Sequence, residues 1–289
     1  MASISIETKK IVELEAASAI SDDDLLIVRT GSGSKKITVG ELFSRSNTGM
    51  YLTGIHNNGE GRNLGTQFTT EQAEMIAAGD FKSLWNGDYW VDGARKWRIT
   101  DNTDYYWNKG DTPFDKHGLV IMPDDNILKA DGSTTKYMMD TNETTQGYQG
   151  TKYRNTYRNQ AKRAFTDFFG AAHIATYRDL QSNASANGHA SNWSWVDADV
   201  ELPGEVQIYG SKIWSPDGTA GYNGYDTGIG YPQFALFRLA PKYATNRENY
   251  WLRDVVSAAS FALVADDGFA STANASYPYV GCRPFALLI

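Results

Sequence analysis

The sequence predicts an α+β protein: a small β-rich N-terminal module followed by a larger domain of short strands, long ordered loops and a few helices. Three observations predict it. Aromatic residues are abundant, with 8 Trp, 17 Tyr and 12 Phe beside 27 Gly, a composition that suits pleated sheet and tight turns. From residue 80 onward, short apolar runs alternate with polar stretches rich in turn residues. Helical stretches interrupt these runs irregularly, which excludes the regular strand–helix alternation of a doubly wound sheet.

Taken in order, residues 1–46 form the first module. Ile4, Ile6, Ile11 and Val12 surround a lysine pair. Residues 25–28 are an apolar strand, Gly31 to Ser34 a hairpin-type loop, and Ile37 with Val39 a return strand. A short helix begins near residues 39–43. Residues 47–78 are a Gly- and Asn-rich bridge ending in a short helix, with Thr69 and Gln72 as a capping box and Gly79 as its stop. Residues 79–289 form the main domain. Its expected strands are 88–91, 96–100, 119–123, 206–209, 234–239, 261–264 and 282–288. Its expected helices are 153–170, carrying an apolar patch of Phe165, Phe168 and Phe169, and 176–186.

Composition bounds the function. An apolar fraction of 41% excludes a wholly disordered chain. A net charge of -7 without a long basic run argues against nucleic-acid binding. The densest basic stretch, Lys152, Arg154, Arg158, Lys162 and Arg163, reads as a solvated helix face. One cysteine, Cys282, excludes an internal disulfide or a cysteine zinc site and is expected as a small buried residue. No stretch is long and apolar enough for a membrane span, and residues 1–20 lack a signal-peptide pattern, so neither insertion nor secretion by a signal is expected.

The most informative segment is residues 250–289. Trp251 and Arg253 frame it at one end, and Gly281, Arg283 and Pro284 at the other. Between them lie small, polar and aromatic residues: Ser257, Ser260, Asp266, Asp267, Phe269, Ser271, Asn274, Tyr277 and Tyr279. A rigid frame around a tolerant loop fits a ligand-displaying surface, and an ordinary hairpin with a polar loop fits the same residues.

Residues Tyr250 to Arg253, Phe261, Gly268 and Gly281 to Phe285 resemble the C-terminal part of C-type-lectin-like domains in phage adsorption proteins. These include variable proteins of diversity-generating retroelements and the related formylglycine-generating-enzyme-like fold. Residues 79–99, 117–125 and 200–210 are similar to head-fibre, tail and receptor-binding proteins of tailed bacteriophages. Residues 20–42 resemble the virion-attachment start of many such chains. The resemblance implies a virion surface protein made in the host cytoplasm, anchored to other virion proteins through residues 1–46. It implies a homotrimer that binds a host-surface glycan or protein through the loops of a C-type-lectin-like domain. Trp251, Arg253, Gly281, Arg283 and Pro284 would then be framework. A capsid or tail decoration protein with a purely structural role and no host ligand is the alternative.

Enzymatic roles find little footing. The formylglycine-generating relatives need suitably placed cysteines, and only Cys282 is present. Asp124 with Asp125, or Glu201 with Glu205, are carboxylate pairs a cell-wall glycan hydrolase would need, but salt-bridge and capping roles account for them as well. His56, His117, His173 and His189 lack metal-ligand spacing, and His173 reads as a satisfied buried histidine. No cofactor is expected. Asp22 to Asp24, Asp101 to Asp111 and Asp266 to Gly268 leave a structural calcium open, without the spacing of a known calcium loop.

Overall fold

The computed structural model describes residues 60–127, 135–215 and 232–289 in full, together with the backbone of Leu25–Thr30 and Gly33–Thr38. The chain divides into two units, Met1–Gly54 and Ile55–Ile289. In the first, β1 (Leu25–Thr30) pairs antiparallel with β2 (Gly33–Thr38), Thr30 opposite Gly33. The expected helix at 39–43, the bridge up to residue 59, His56 and Asp22 to Asp24 lie outside the described residues.

The second unit is α+β with strands in the majority. One sheet has the order β3 (Tyr89–Asp92), β4 (Arg95–Asp101), β5 (Leu119–Pro123), β14 (Phe285–Leu288) and β9 (Val200–Glu201). The other runs β12 (Ala270–Asn274), β11 (Ser260–Val264), β10 (Tyr250–Val255), β13 (Val280–Gly281) and β6 (Lys136–Tyr137). A long hairpin, β7 (Tyr177–Ala186) and β8 (His189–Ala198), stands beside them.

Period-2 alternation explains the layering. On β14, Phe285 and Leu287 join Leu252, Ala262 and Val264 in the core between the two sheets. Ala286 and Leu288 face the opposite way, toward Trp97, Phe165 and Phe169. On β11, Phe261 and Leu263 face a third cluster with Trp251, Tyr153 and Cys282. The central strands β5, β11 and β14 are thus covered on both faces, which is why they read as nearly continuous apolar runs.

Helix α1 (Thr70–Ala77) has the expected capping box, Thr69 and Gln72 bonding reciprocally at 3.0 and 3.2 Å. Residues 60–78, read from the sequence as part of a separate bridge, are built into this unit. Leu64 N–H donates to Tyr89 at 2.7 Å and Val91 N–H to Gly65 at 2.9 Å. Phe68 packs edge-on to Trp90 and Phe169, centroids 5.7 and 5.4 Å apart. Helix α2 (Arg158–Phe169), preceded by a π-helical turn (Tyr153–Tyr157), turns Phe165 onto Trp97 with centroids 4.5 Å apart. Such aromatic pairs add about 0.5–1.5 kcal/mol beyond their buried area.

The basic stretch on this helix is not merely a solvated face. Arg154 and Arg158 reach the fully buried Glu201 at 3.3 and 3.1 Å, and Lys162 reaches Asp199 at 2.6 Å. Tyr148 donates its hydroxyl to Glu201 at 2.7 Å. Burial still raises the Glu201 carboxyl above its usual range, against the pull of both arginines.

Three expected elements are corrected. Residues 176–186 are strand, not helix. Asn187 and Gly188, with φ of 53° and 79°, form the two-residue turn that joins β7 to β8, Ala186 opposite His189. Positive φ at both central residues selects an Asn-Gly turn, whose twist matches the strands it connects. Residues 205–209 and 235–239 are helices α3 (Glu205–Tyr209) and α4 (Ala235–Leu239), not strands. Each is capped from far away in sequence. Asp254 accepts the Glu205 N–H at 2.7 Å, and Asp101 accepts the Ala235 N–H at 2.8 Å.

Candidate functional site

The polar stretch read as a displaying loop is largely the β11–β12 hairpin, with Ser260 opposite Asn274 and Val264 opposite Ala270. Its nine candidate residues therefore divide. Ser257, Ser260, Asn274 and Tyr277 gather at one end, where Ser260 Oγ bonds Asn274 Oδ1 at 3.2 Å and Tyr277 N–H donates to Asn274 O at 2.8 Å. Tyr279 follows, its ring 5.4 Å from that of Tyr277. Asp266, Asp267 and Phe269 form the turn at the other end, where Asp267 accepts the Phe269 N–H at 3.0 Å. A strand rises about 3.4 Å per residue, so roughly 14 Å separates the two ends. Ser271 lies between them, opposite Leu263.

A cleft of about 520 Å³ opens beside the β10–β11 turn. The tip of the β7–β8 hairpin supplies Asn187, Gly188 and His189, and the β10–β11 turn supplies Ser257 and Ala258. Thr145, Ser185 and Trp214 complete it together with Val256. Of the nine candidates, only Ser257 lines this cleft. Thr144 fixes the turn that carries it, its hydroxyl donating to Ser257 O at 2.8 Å and its N–H to Ala258 O at 3.0 Å. A Cβ on Gly188 would lie 3.3 Å from the Ser257 backbone, so the hairpin tip and the turn are in close contact.

Sequence reasoning missed Trp214, which is 53% exposed. Two bonds set its position. Its indole N–H donates to Ala270 O at 2.9 Å. The Ala265 N–H bond to Phe269 O makes Val264–Ala270 a non-hydrogen-bonded pair, so the Ala270 carbonyl points off the open edge of β12 and Trp214 covers it. Behind the ring, the fully buried Glu205 carboxylate gathers the backbone. It accepts N–H groups from Ile213 (3.2 Å), Trp214 (2.9 Å) and Ser215 (3.0 Å), and the Ser215 hydroxyl at 2.5 Å.

Asp254 sits directly behind that carboxylate. Its Oδ2 accepts the Glu205 N–H and lies 3.1 Å from where a Cβ on Gly204 would stand. Burial, with the Glu205 charge adding, pushes the Asp254 carboxyl up to about 6, against Arg253, the Glu205 N–H and Lys212. An unfolded aspartate titrates near 3.9, so the folded state binds this proton more tightly. Its stabilising contribution is complete below about pH 4 and is lost as pH rises through about 6. Asp254→Asn is neutral throughout and keeps an oxygen for the Glu205 N–H. Thermal unfolding of both proteins from about pH 4 to pH 7 should show the variant gaining on the native chain as pH rises. A flat or opposite difference would refute the assignment.

The framing residues are structural ties. Trp251 is buried, its indole N–H on Tyr137 O at 2.9 Å. Arg253 meets the buried Asp179 at 2.6 Å, and Gln181 donates to the same carboxylate at 2.9 Å. Burial, then the Asp179 charge, raises the neighbouring Tyr177 phenol well above its usual range. Gly281 allows a close approach: a Cβ there would fall 1.9 Å from Asn126 Nδ2. Arg283 is buried among main-chain carbonyls and Pro284 is buried beside it. Cys282 donates its thiol to Tyr153 Oη at 3.2 Å, and burial pushes that thiol up to about 12, leaving it protonated and unreactive.

The remaining candidates have other partners. Asp124 is held by Arg98 at 2.5 Å, and the Arg98 guanidinium lies between the rings of Tyr89 and Tyr243. Asp101 caps α4, Asp104 holds His117 at 2.8 Å, and Asp111 holds Arg178 at 2.7 Å. His173 is partly buried with Nδ1 on Ile289 O at 3.2 Å. Among the described residues no group of three His, Cys, Asp or Glu side chains is placed to hold a metal, and no helix is long and apolar enough to cross a membrane. No protein-family model, curated protein or solved structure matches this chain.

Proposed function

We propose that this chain is a surface protein of a tailed-phage virion, of head-fibre or tail receptor-binding type. In this reading residues 1–46 attach to other virion proteins, and three copies present C-type-lectin-like domains that bind a host-surface glycan or protein without catalysis. Adsorption then comes from many weak contacts made strong by copy number.

One observation carries the reading: exposed aromatics collect around the β12 edge. Phe269 (73% exposed) and Trp214 (53%) stand at one end, Tyr277 (46%) and Tyr279 (64%) toward the other. Large exposed aromatics on a fixed sheet edge give contact area at low entropy cost. The sequence resemblance supports the kind of particle, and the hydrogen-bonded turns at both ends support a scaffold for these rings.

The test is retention of labelled full-length protein on a panel of bacterial strains, read by flow cytometry. Retention on at least one strain is expected, falling about tenfold in a Phe269→Ser, Tyr279→Ser double variant that unfolds at the native temperature. Absence of retention on every strain, or equal retention of the variant, would remove the adsorption role.

A further inference from the structure

We infer that the cleft between the β7–β8 turn and the β10–β11 turn binds a neutral saccharide, a hexose or N-acetylhexosamine unit stacked on Trp214. This names the ligand of the adsorption role proposed above and rests on it. The cleft's volume, about 520 Å³, falls in the usual range of small-molecule sites, roughly 300–1,000 Å³.

The lining selects the class. No carboxylate, lysine or arginine among the described residues lines the cleft. A charged ligand would leave water without an ionic partner, which is costly. The groups present are an indole, an amide, an imidazole and hydroxyls: Trp214, Asn187, His189, Ser257, Thr145 and Ser185. Trp214 has already committed its N–H to Ala270. Its ring faces are what it can offer. An aromatic face is the negative side of the ring and attracts weakly positive C–H groups. A pyranose presents that complement, a face of C–H groups bounded by hydroxyls.

The polar groups match the rim. Ser257 Oγ accepts the Ala259 N–H at 3.3 Å, which leaves its own proton to donate. Asn187, at φ 53° on the hairpin tip, offers a donor and an acceptor from one side chain. These groups are held before any ligand arrives. Glu205 fixes the Trp214 backbone, Thr144 fixes the Ser257 turn, and Gly188 presses the hairpin tip against it. A preformed site loses little entropy on binding.

Saturation-transfer NMR on the purified full-length chain tests this without cells. The probes are methyl glucoside, methyl galactoside, N-acetylglucosamine and N-acetyllactosamine, with glucuronic acid and glucosamine as charged controls. At least one neutral probe should bind, with a Kd on the order of millimolar. Trp214→Ala and Asn187→Gly should each weaken it by about fivefold or more. Asn187→Gly suits the left-handed backbone and removes the side chain with its amide, so it separates recognition from folding. Binding of no neutral probe, binding of the charged controls alone, or a loss under about fivefold in either cleft variant overturns the inference. Cell retention without saccharide binding would sink this inference and leave adsorption standing; saccharide binding without cell retention would do the reverse.

Discussion

Arg283→Ala is expected to destabilise the large unit by about 4 kcal/mol and to lower its melting temperature by roughly 8–16 °C. Arg283 is 2% exposed. Its Nε donates to Pro123 O at 2.8 Å, and its Nη1 to Tyr243 O at 2.8 Å and Ala244 O at 3.3 Å. Its guanidinium also lies 5.4 Å from the Tyr250 ring centroid and 5.9 Å from that of Phe237. One side chain thus joins the end of β5, the segment before β10 and the chain entering β14. Alanine takes their donor from the Pro123 and Tyr243 carbonyls, each costing about 1–3 kcal/mol when buried and unpaired, while Ala244 O keeps the Tyr250 hydroxyl. Lysine would keep the charge but not the planar fork that spans separate carbonyls, so Arg283→Lys should recover less than half of the loss. Circular-dichroism melts decide it. A loss under about 1 kcal/mol for alanine would mean that the carbonyls find other donors.

Arg283 also marks what was legible in the sequence. The pattern around Gly281 to Phe285 identified it as framework, although nothing local says which carbonyls it reaches. Strands with long apolar runs, such as Leu119–Pro123, were legible because burial on both faces leaves an unbroken signature. Helix α1 was legible because its cap is local. The misread elements depend on distant partners. Helices α3 and α4 begin where Asp254 and Asp101 supply caps from 49 and 134 residues away, and their apolar residues alone look like strand. The β7–β8 hairpin was different. Its Asn-Gly turn stood in the sequence as a direct hairpin signal, and the propensities of residues 176–186 hid it.

The candidate site was legible only in part, for the same reason. Ser257 was found because it lies between the framing residues. Trp214 sits in a short segment whose neighbours carry no periodic pattern, and the carboxylate that fixes it belongs to another element. Asn187 and His189 come from the hairpin whose first strand was read as helix and whose second was not assigned. A site assembled from four separated segments leaves no spacing to find.

The dependence of Trp214 on Glu205 yields the second large effect. Glu205→Ala removes four accepted hydrogen bonds from the segment Ile213 to Ser215. Bonds to a charged acceptor contribute about 1.5–3 kcal/mol each, and alanine leaves three N–H groups facing an apolar space. The segment can escape that penalty by opening to water, so the loss should be local more than global. Hydrogen exchange at the Ile213, Trp214 and Ser215 amides should speed up about a thousandfold, equivalent to ~4 kcal/mol, with a smaller fall in melting temperature than for Arg283→Ala. Glu205→Gln discriminates between charge and shape. Its carbonyl can take the place of Oε2, which serves Ile213 and Ser215, while its amide turns N–H donors toward the Trp214 N–H. Exchange should then accelerate about tenfold, greatest at Trp214. Saccharide affinity should fall in the same order, native above Gln above Ala, because an open segment withdraws the ring from the cleft and binding must first restore it. Uniform exchange across the three amides in Glu205→Gln, or Glu205→Ala with native protection, would show that the indole bond to Ala270, not the carboxylate, holds Trp214 in place.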